Sequence, residues 1–357
     1  MKKKLAIIMS LVMVASMTAC GNSANNTAEA NTTAAVSESS TEANTDETTV
    51  EAETTTVAAE ETTAESAEEA AEEDEEDYNT GDASLDIIGN QDEIGDNELL
   101  VLSFGTSFND NRRLTIGAIE NDLEAAFPDY SVRRGFSANI VIDHINRRDG
   151  FLIDDVKASL ERAVNNGVKT LVVQPTHLMN GFEYNDIVEE VSNYADAFEK
   201  VVFGEPLLTS DDDFARVEKA ITEWTAEYDD GETAICFMGH GTEADSNAVY
   251  QKLQDLLTAD GYTNYFIGTV EAAPTLDDVL AKVKAGNYKR VVLEPLMVVA
   301  GDHANNDMAS DEEDSWKTAF ENEGYEVVCL IRGLGENEDI RQIYVDHAKA
   351  AIDSIAE

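Results

Sequence analysis

Histidine is scarce in this chain, five among 357 residues, and two of the five follow apolar runs with glycine close by. Ala234 to Met238 runs into Gly239-His240-Gly241, and Arg290 to Val299 runs into Ala300-Gly301-Asp302-His303. A third run, Tyr265 to Val270, ends on Glu271. Two imidazoles and a carboxylate suit a borderline divalent cation such as Co²⁺, Ni²⁺, Fe²⁺ or Zn²⁺, with a position left open for substrate. Ligand type does not choose among these metals.

For three such residues to meet, three strand ends must face one crevice. In a parallel α/β sheet, ligands bind at the carboxyl ends of the strands, and neighbouring strands lie about 5 Å apart. Glycines on either side of His240 remove crowding side chains and permit a tight turn. The plainer account is that these are unrelated polar loop residues; three from three successive strand ends favours a shared ion.

The elements themselves read clearly. Leu99 to Phe104, Ser131 to Ser137, Val168 to Val173 and Val201 to Phe203 have strand character. Helical segments are expected at 111–127, 140–147, 156–164, 184–198 and 214–228. A second set follows: strands at 234–238, 264–268, 290–299 and 326–331, with helices at 246–257, 276–284, 312–322 and 340–355. Strands alternating with helices imply parallel sheets flanked by helices.

The halves match piece by piece, which implies an internal duplication of a four-stranded unit and a cleft between two similar lobes. Phe104-Gly105-Thr106 pairs with His240-Gly241-Thr242, and Gly181-Phe182-Glu183 with Gly301-Asp302-His303. The first-half counterparts of His240, Glu271 and His303 are then Phe104, Ser137 and Glu183, so only the second half keeps the full ligand set.

Other chemistry-bearing residues are weaker candidates. His177 follows a strand, where lining the cleft and a structural role are equally open; His144 and His347 are expected at the surface. Ser103 has no partner base in sequence, and no phosphate-binding glycine motif is present. The acidic run from Asp307 to Asp314 suits a helix N-terminus.

Charge and chain ends bound the rest. The chain carries 24 Lys+Arg against 73 Asp+Glu, a formal charge of −49, which argues against nucleic-acid binding. Lys2 to Lys4, the apolar stretch Leu5 to Met17 and the small residues before Cys20 read as a bacterial lipoprotein signal over residues 1–20. Cys20 would be lipidated, anchoring the exported protein on the outer face of the cytoplasmic membrane. Residues 21–97 form a Thr/Glu/Ala-rich acidic stretch, expected to be a disordered spacer. Lobes are expected at 98–229 and 230–357. Cys236 and Cys329 lie in apolar runs and read as buried thiols.

Five strings resemble the anaerobic sirohydrochlorin cobaltochelatases: Leu102 to Ser107, Asn180 to Tyr184, Met238 to Glu243, Ile267 to Glu271 and Gly301 to Ala309. The resemblance covers residues 98–355 in family order. It implies a two-lobed chelatase fold in which a divalent metal, Co²⁺ foremost, enters a planar tetrapyrrole without ATP. It also implies that His240, Glu271 and His303 hold the metal, and that Glu183 across the cleft exchanges protons with the macrocycle. One imidazole, His240 or His303, would assist Glu183. Many members carry a further histidine soon after Gly-His-Gly, where this chain has Ala244-Asp245. A membrane-anchored lipoprotein that captures tetrapyrrole or metal without turnover uses the same cleft, and a surface module acting through its acidic tail is a third reading. A homo-oligomer is left open.

Overall fold

The computed structural model describes residues 80–355. The signal at 1–20, with Cys20, and residues 21–79 of the acidic spacer lie outside them.

Each half forms a four-stranded parallel sheet. In the first, β1 (Asn97–Ser103), β2 (Ser131–Phe136), β3 (Thr170–Pro175) and β4 (Lys200–Phe203) stand in the order β2-β1-β3-β4. In the second, β5 (Thr233–Gly239), β6 (Tyr265–Thr269), β7 (Arg290–Pro295) and β8 (Glu326–Cys329) repeat it as β6-β5-β7-β8. The helices of the first half are α1 (Asn109–Leu114), α2 (Ile116–Ala126), α3 (Asn139–Asp149), α4 (Val156–Asn165), α5 (Phe182–Tyr194) and α6 (Asp211–Trp224). Those of the second are α7 (Ala248–Ala259), α8 (Leu276–Ala285), α9 (Trp316–Asn322) and α10 (Glu338–Ser354). The order of elements and the duplication follow the sequence expectation.

Strand alternation divides the core. On β1, Leu99 and Val101 face one way and Leu100 and Leu102 the other; on β5, Ile235 and Phe237 oppose Ala234, Cys236 and Met238. One face of both sheets contributes to a single apolar core that runs through both lobes, while each opposite face is covered by its own helices. Cys236 and Cys329 are free thiols, the first buried and the second half-buried.

Two boundaries differ from expectation. The spacer, expected to run to residue 97, is held on the first lobe from residue 80. Asp110 N donates to Thr80 O at 2.9 Å and Arg134 N to Gly89 O at 2.7 Å. The Asp86 carboxylate lies 2.6 Å from Arg112 Nε and 2.9 Å from Arg134 Nη1, all three side chains nearly inaccessible to water. Two buried guanidinium groups need counter-charges, and this segment supplies one. The second difference is α10, expected with the second lobe, which packs on α2, α6, β3 and β4 of the first. Tyr344 Oη donates to Thr176 O at 2.9 Å and Arg341 Nε to Asp122 Oδ2 at 2.5 Å.

The register also corrects one pairing between the halves. Val270 N donates to Gly239 O and Glu271 N to His240 O, as Ser137 N does to Ser103 O and Ala138 N to Phe104 O. The first-half counterpart of Glu271 is therefore Ala138, not Ser137.

Candidate active site

The Gly-His-Gly turn is built around its glycines. A Cβ on Gly239 would lie 2.2 Å from the Tyr250 ring, and Gly241 has φ +88° with its Cβ position 2.8 Å from Ala272 N. Gly241 N donates to Tyr250 Oη at 3.2 Å. His240 therefore stands on a fixed loop at the end of β5. Its Nδ1 lies 2.7 Å from Gly241 O. A carbonyl only accepts, so Nδ1 carries the proton and Nε2 keeps its lone pair for the cleft.

His303 is oriented in the same way by a different partner. Its Nδ1 lies 2.7 Å from Asp307 Oδ2, and a π-helical turn over Ala304–Met308 brings that carboxylate back beneath the ring. Such turns recur at functional sites. The Asp307 hydrogen bond, against the opposing effect of burial, raises the imidazole above its ordinary value. The loop that carries His303 is tied to the first lobe, for Ala300 N donates to Asn111 Oδ1 at 2.8 Å. The rings of His240 and His303 meet edge to face, with centroids 4.8 Å apart and planes at 84°.

Glu271 follows β6 and lines the same cavity, its backbone nitrogen bonded to His240 O at 2.8 Å. Among the described residues the compact set of potential ligands is Asp302, His303 and Asp307, with ligand atoms within 4.8 Å of one another. The two imidazoles are drawn together, whereas Glu271 lines the cavity without belonging to that compact set. In the sequence Asp307 reads as part of a helix-opening acidic run, with cation loading as the lesser role.

Opposite lies the first lobe. The cavity is about 700 Å³ and both lobes line it, within the usual range for a small-molecule site. Glu183, in the first turn of α5, faces it; burial raises its carboxyl group, opposed by His240 and reinforced by Asp186. Large apolar side chains stand open to this space: Phe104 is 43 % exposed, Ile140 48 % and Phe182 59 %. Where the second lobe offers His240 and Asp302, the first offers Phe104 and Phe182 at the equivalent positions. One wall is coordinating and the other is aromatic.

The remaining histidines divide. His144, expected at the surface, lines the cavity from α3, because that helix lies along the cleft rather than behind the sheet. His347, also expected at the surface, is held between Glu205 O and Asp213 Oδ1, each at 3.0 Å, with its side chain 13 % exposed. Its partners lie more than a hundred residues away in sequence, so local pattern could not place it. His177 lines the cavity beside Glu183.

The sequence pattern of the family described as cobalt chelatase (CbiK) matches residues 97–353. The chain belongs to the cobalt chelatase family. A sirohydrochlorin cobaltochelatase of Salmonella typhimurium is 37 % identical over 259 residues, covering 72 % of this chain and 97 % of that one. A second cobalt chelatase relative, sirohydrochlorin cobaltochelatase CbiKC of Nitratidesulfovibrio vulgaris, is 30 % identical over 260 residues, 72 % of this chain and 91 % of that one. Among solved structures, SirB from Bacillus subtilis shares the fold with a TM-score of 0.53 at 12 % identity, over 74 % of this chain and 98 % of that one. The cobalt chelatase match begins at the first residue of β1 and ends within α10, so it spans both lobes.

Proposed function

We propose that the protein inserts a divalent metal, Co²⁺ foremost, into a sirohydrochlorin-type tetrapyrrole without ATP. The observation that carries this is the opposition of two metal-competent imidazoles, His240 and His303, to a proton-competent carboxyl group, Glu183, across one cavity of about 700 Å³. Metalation breaks two pyrrole N–H bonds while the metal exchanges its ligands for ring nitrogens. The aromatic side chains of the first lobe suit a flat macrocycle, and burial leaves Glu183 readier than a solvated carboxylate to take a proton. His240 and His303 present the metal through Nε2, with Glu271 as the third ligand, and one imidazole takes a proton as the metal leaves it. Relatives named for cobalt and sirohydrochlorin, at 37 % and 30 % identity, support the choice of metal and macrocycle.

The test is absorbance-monitored incubation with sirohydrochlorin and Co²⁺. Metallated product in excess of protein is expected, and a single stoichiometric complex would favour capture over catalysis. His240→Ala and His303→Ala should each lose insertion; near-normal rates in both would overturn the reading.

The second part of the proposal is location: export, lipidation at Cys20 and tethering to the outer face of the cytoplasmic membrane. Lys2 to Lys4, the apolar stretch and the small residues before Cys20 support it. No described helix is long and apolar enough to cross a membrane. Cys20→Ala should release the protein from the membrane fraction; unchanged membrane retention would refute lipid tethering.

A further inference from the structure

Glu183 has a neighbour whose role the sequence left open. His177 lies two residues beyond β3, with its side chain 7 % exposed and its Nε2 3.9 Å from Glu183 Oε2. Neither ring nitrogen has a hydrogen-bond partner among the described residues. Buried polar groups are nearly always paired, and the exceptions call for an explanation. The fold does not demand histidine here. Thr176 N donates to Leu102 O as Leu296 N does to Met238 O, so the equivalent residue of the second lobe is Met297, which lines the same cavity. The stem, by contrast, is firmly held: His177 O accepts from Leu207 N at 3.0 Å and from Tyr344 Oη at 3.3 Å. A fixed backbone thus carries an unpaired ring beside Glu183, the acidic group that lines this wall among the described residues.

We propose that His177 is a positioning residue for Glu183, a neutral ring that closes on its carboxyl group and holds it toward the macrocycle in both protonation states. The role rests on the insertion reading. Burial pushes the imidazole down to about 4, so the ring carries no charge at neutral pH. A neutral imidazole has one donor and one acceptor nitrogen. While Glu183 is ionised, a ring N–H donates to it. When a pyrrole N–H bond breaks, its electron pair goes to the metal and its proton to Glu183, whose neutral carboxyl group still accepts from the same ring N–H through its carbonyl oxygen. His177 gains no charge, and the proton leaves Glu183 for water. The 3.9 Å separation must shorten by about 1 Å to reach hydrogen-bond length, as often happens when a substrate fills a site.

The experiment compares His177→Met, which copies the equivalent residue of the other lobe, with His177→Gln, which keeps a neutral donor and acceptor. For His177→Met, kcat for Co²⁺ insertion into sirohydrochlorin should fall about 10- to 100-fold, the range for losing a hydrogen bond to a charged group. KM for the macrocycle and Co²⁺ affinity should stay within about twofold, because the contact acts on the proton-accepting group and not on binding. His177→Gln should recover most of kcat, and His177→Met should add little to the loss in Glu183→Gln. The melting temperature should hold in both variants. Wild-type turnover in His177→Met overturns the role, as do equal losses in both variants or a fall in kcat that follows the melting temperature. The wild-type control separates the readings: if it turns over normally the fault lies with His177, and if it never turns over the insertion reading itself fails.

Discussion

His303 Nδ1 and Asp307 Oδ2 lie 2.7 Å apart, four residues along a single π-helical turn. A carboxylate on the far nitrogen fixes the tautomer and makes the near one a better ligand. Asp307→Ala should weaken Co²⁺ binding about 10- to 100-fold, the usual cost of removing such a partner. Calorimetric titration of the variant against wild type measures this, and equal affinities would show that the contact does not act on the metal.

Phe182 opens α5 with 59 % of its surface exposed, inside the cavity. An apolar ring left so open contributes little to stability, so Phe182→Ala should unfold within about 0.5 kcal/mol of wild type. Its cost should fall on the macrocycle: a several-fold rise in KM for sirohydrochlorin with unchanged Co²⁺ affinity. Steady-state kinetics and a metal titration together decide it.

Gly241 tests the turn that carries His240. Alanine there must adopt φ +88° and place its Cβ 2.8 Å from Ala272 N. The strain is about 1–3 kcal/mol, and relief requires moving the segment that also carries Glu271. Gly241→Ala should therefore lose insertion more steeply than it loses stability, which parallel rate and urea-denaturation measurements would reveal. A variant equally active and equally stable would mean the loop is softer than its contacts imply.

Asp86 makes residues 80–94 part of the folded lobe. Removing residues 1–79 should leave insertion in solution intact, whereas removing residues 1–94 should strip Arg112 and Arg134 of a shared counter-ion. Asp86→Ala breaks the same buried cluster and should cost about 3–5 kcal/mol. Burial raises the Asp86 carboxyl group, but the two guanidinium groups outweigh it and hold it below the ordinary 3.8. A depressed acid stabilises the fold above its unfolded value and loses that contribution as pH falls through the folded one. The stability gap between wild type and Asp86→Ala should hold from neutral pH down to about 4 and close in stronger acid. Urea titrations across that range would expose an unchanging gap.

Much of this was legible because it is local. Continuous apolar runs such as Leu99 to Leu102 and Ala234 to Met238 mark strands buried on both faces, and their repetition revealed the duplicated lobe. The ends of elements were harder. The run from Arg290 leaves the sheet at Pro295 rather than Val299. The helix expected from Glu312 begins at Trp316, where the Ser315 side chain accepts from Thr318 N. What local pattern could not show is long-range pairing: His347 with Asp213, Asp86 with Arg134, or α10 with the first lobe. His177 stayed ambiguous because its distinguishing property is the lack of a hydrogen-bond partner, which no sequence spacing encodes.

The course of α10 has a consequence for how the chain is made. This helix covers the β3 and β4 side of the first sheet, and Tyr344 within it bonds to the backbone just beyond β3. Those residues follow the strands of the second lobe in the chain, so the first lobe cannot close its apolar face until the second has been synthesised. The completion of one lobe thus waits on the making of the other.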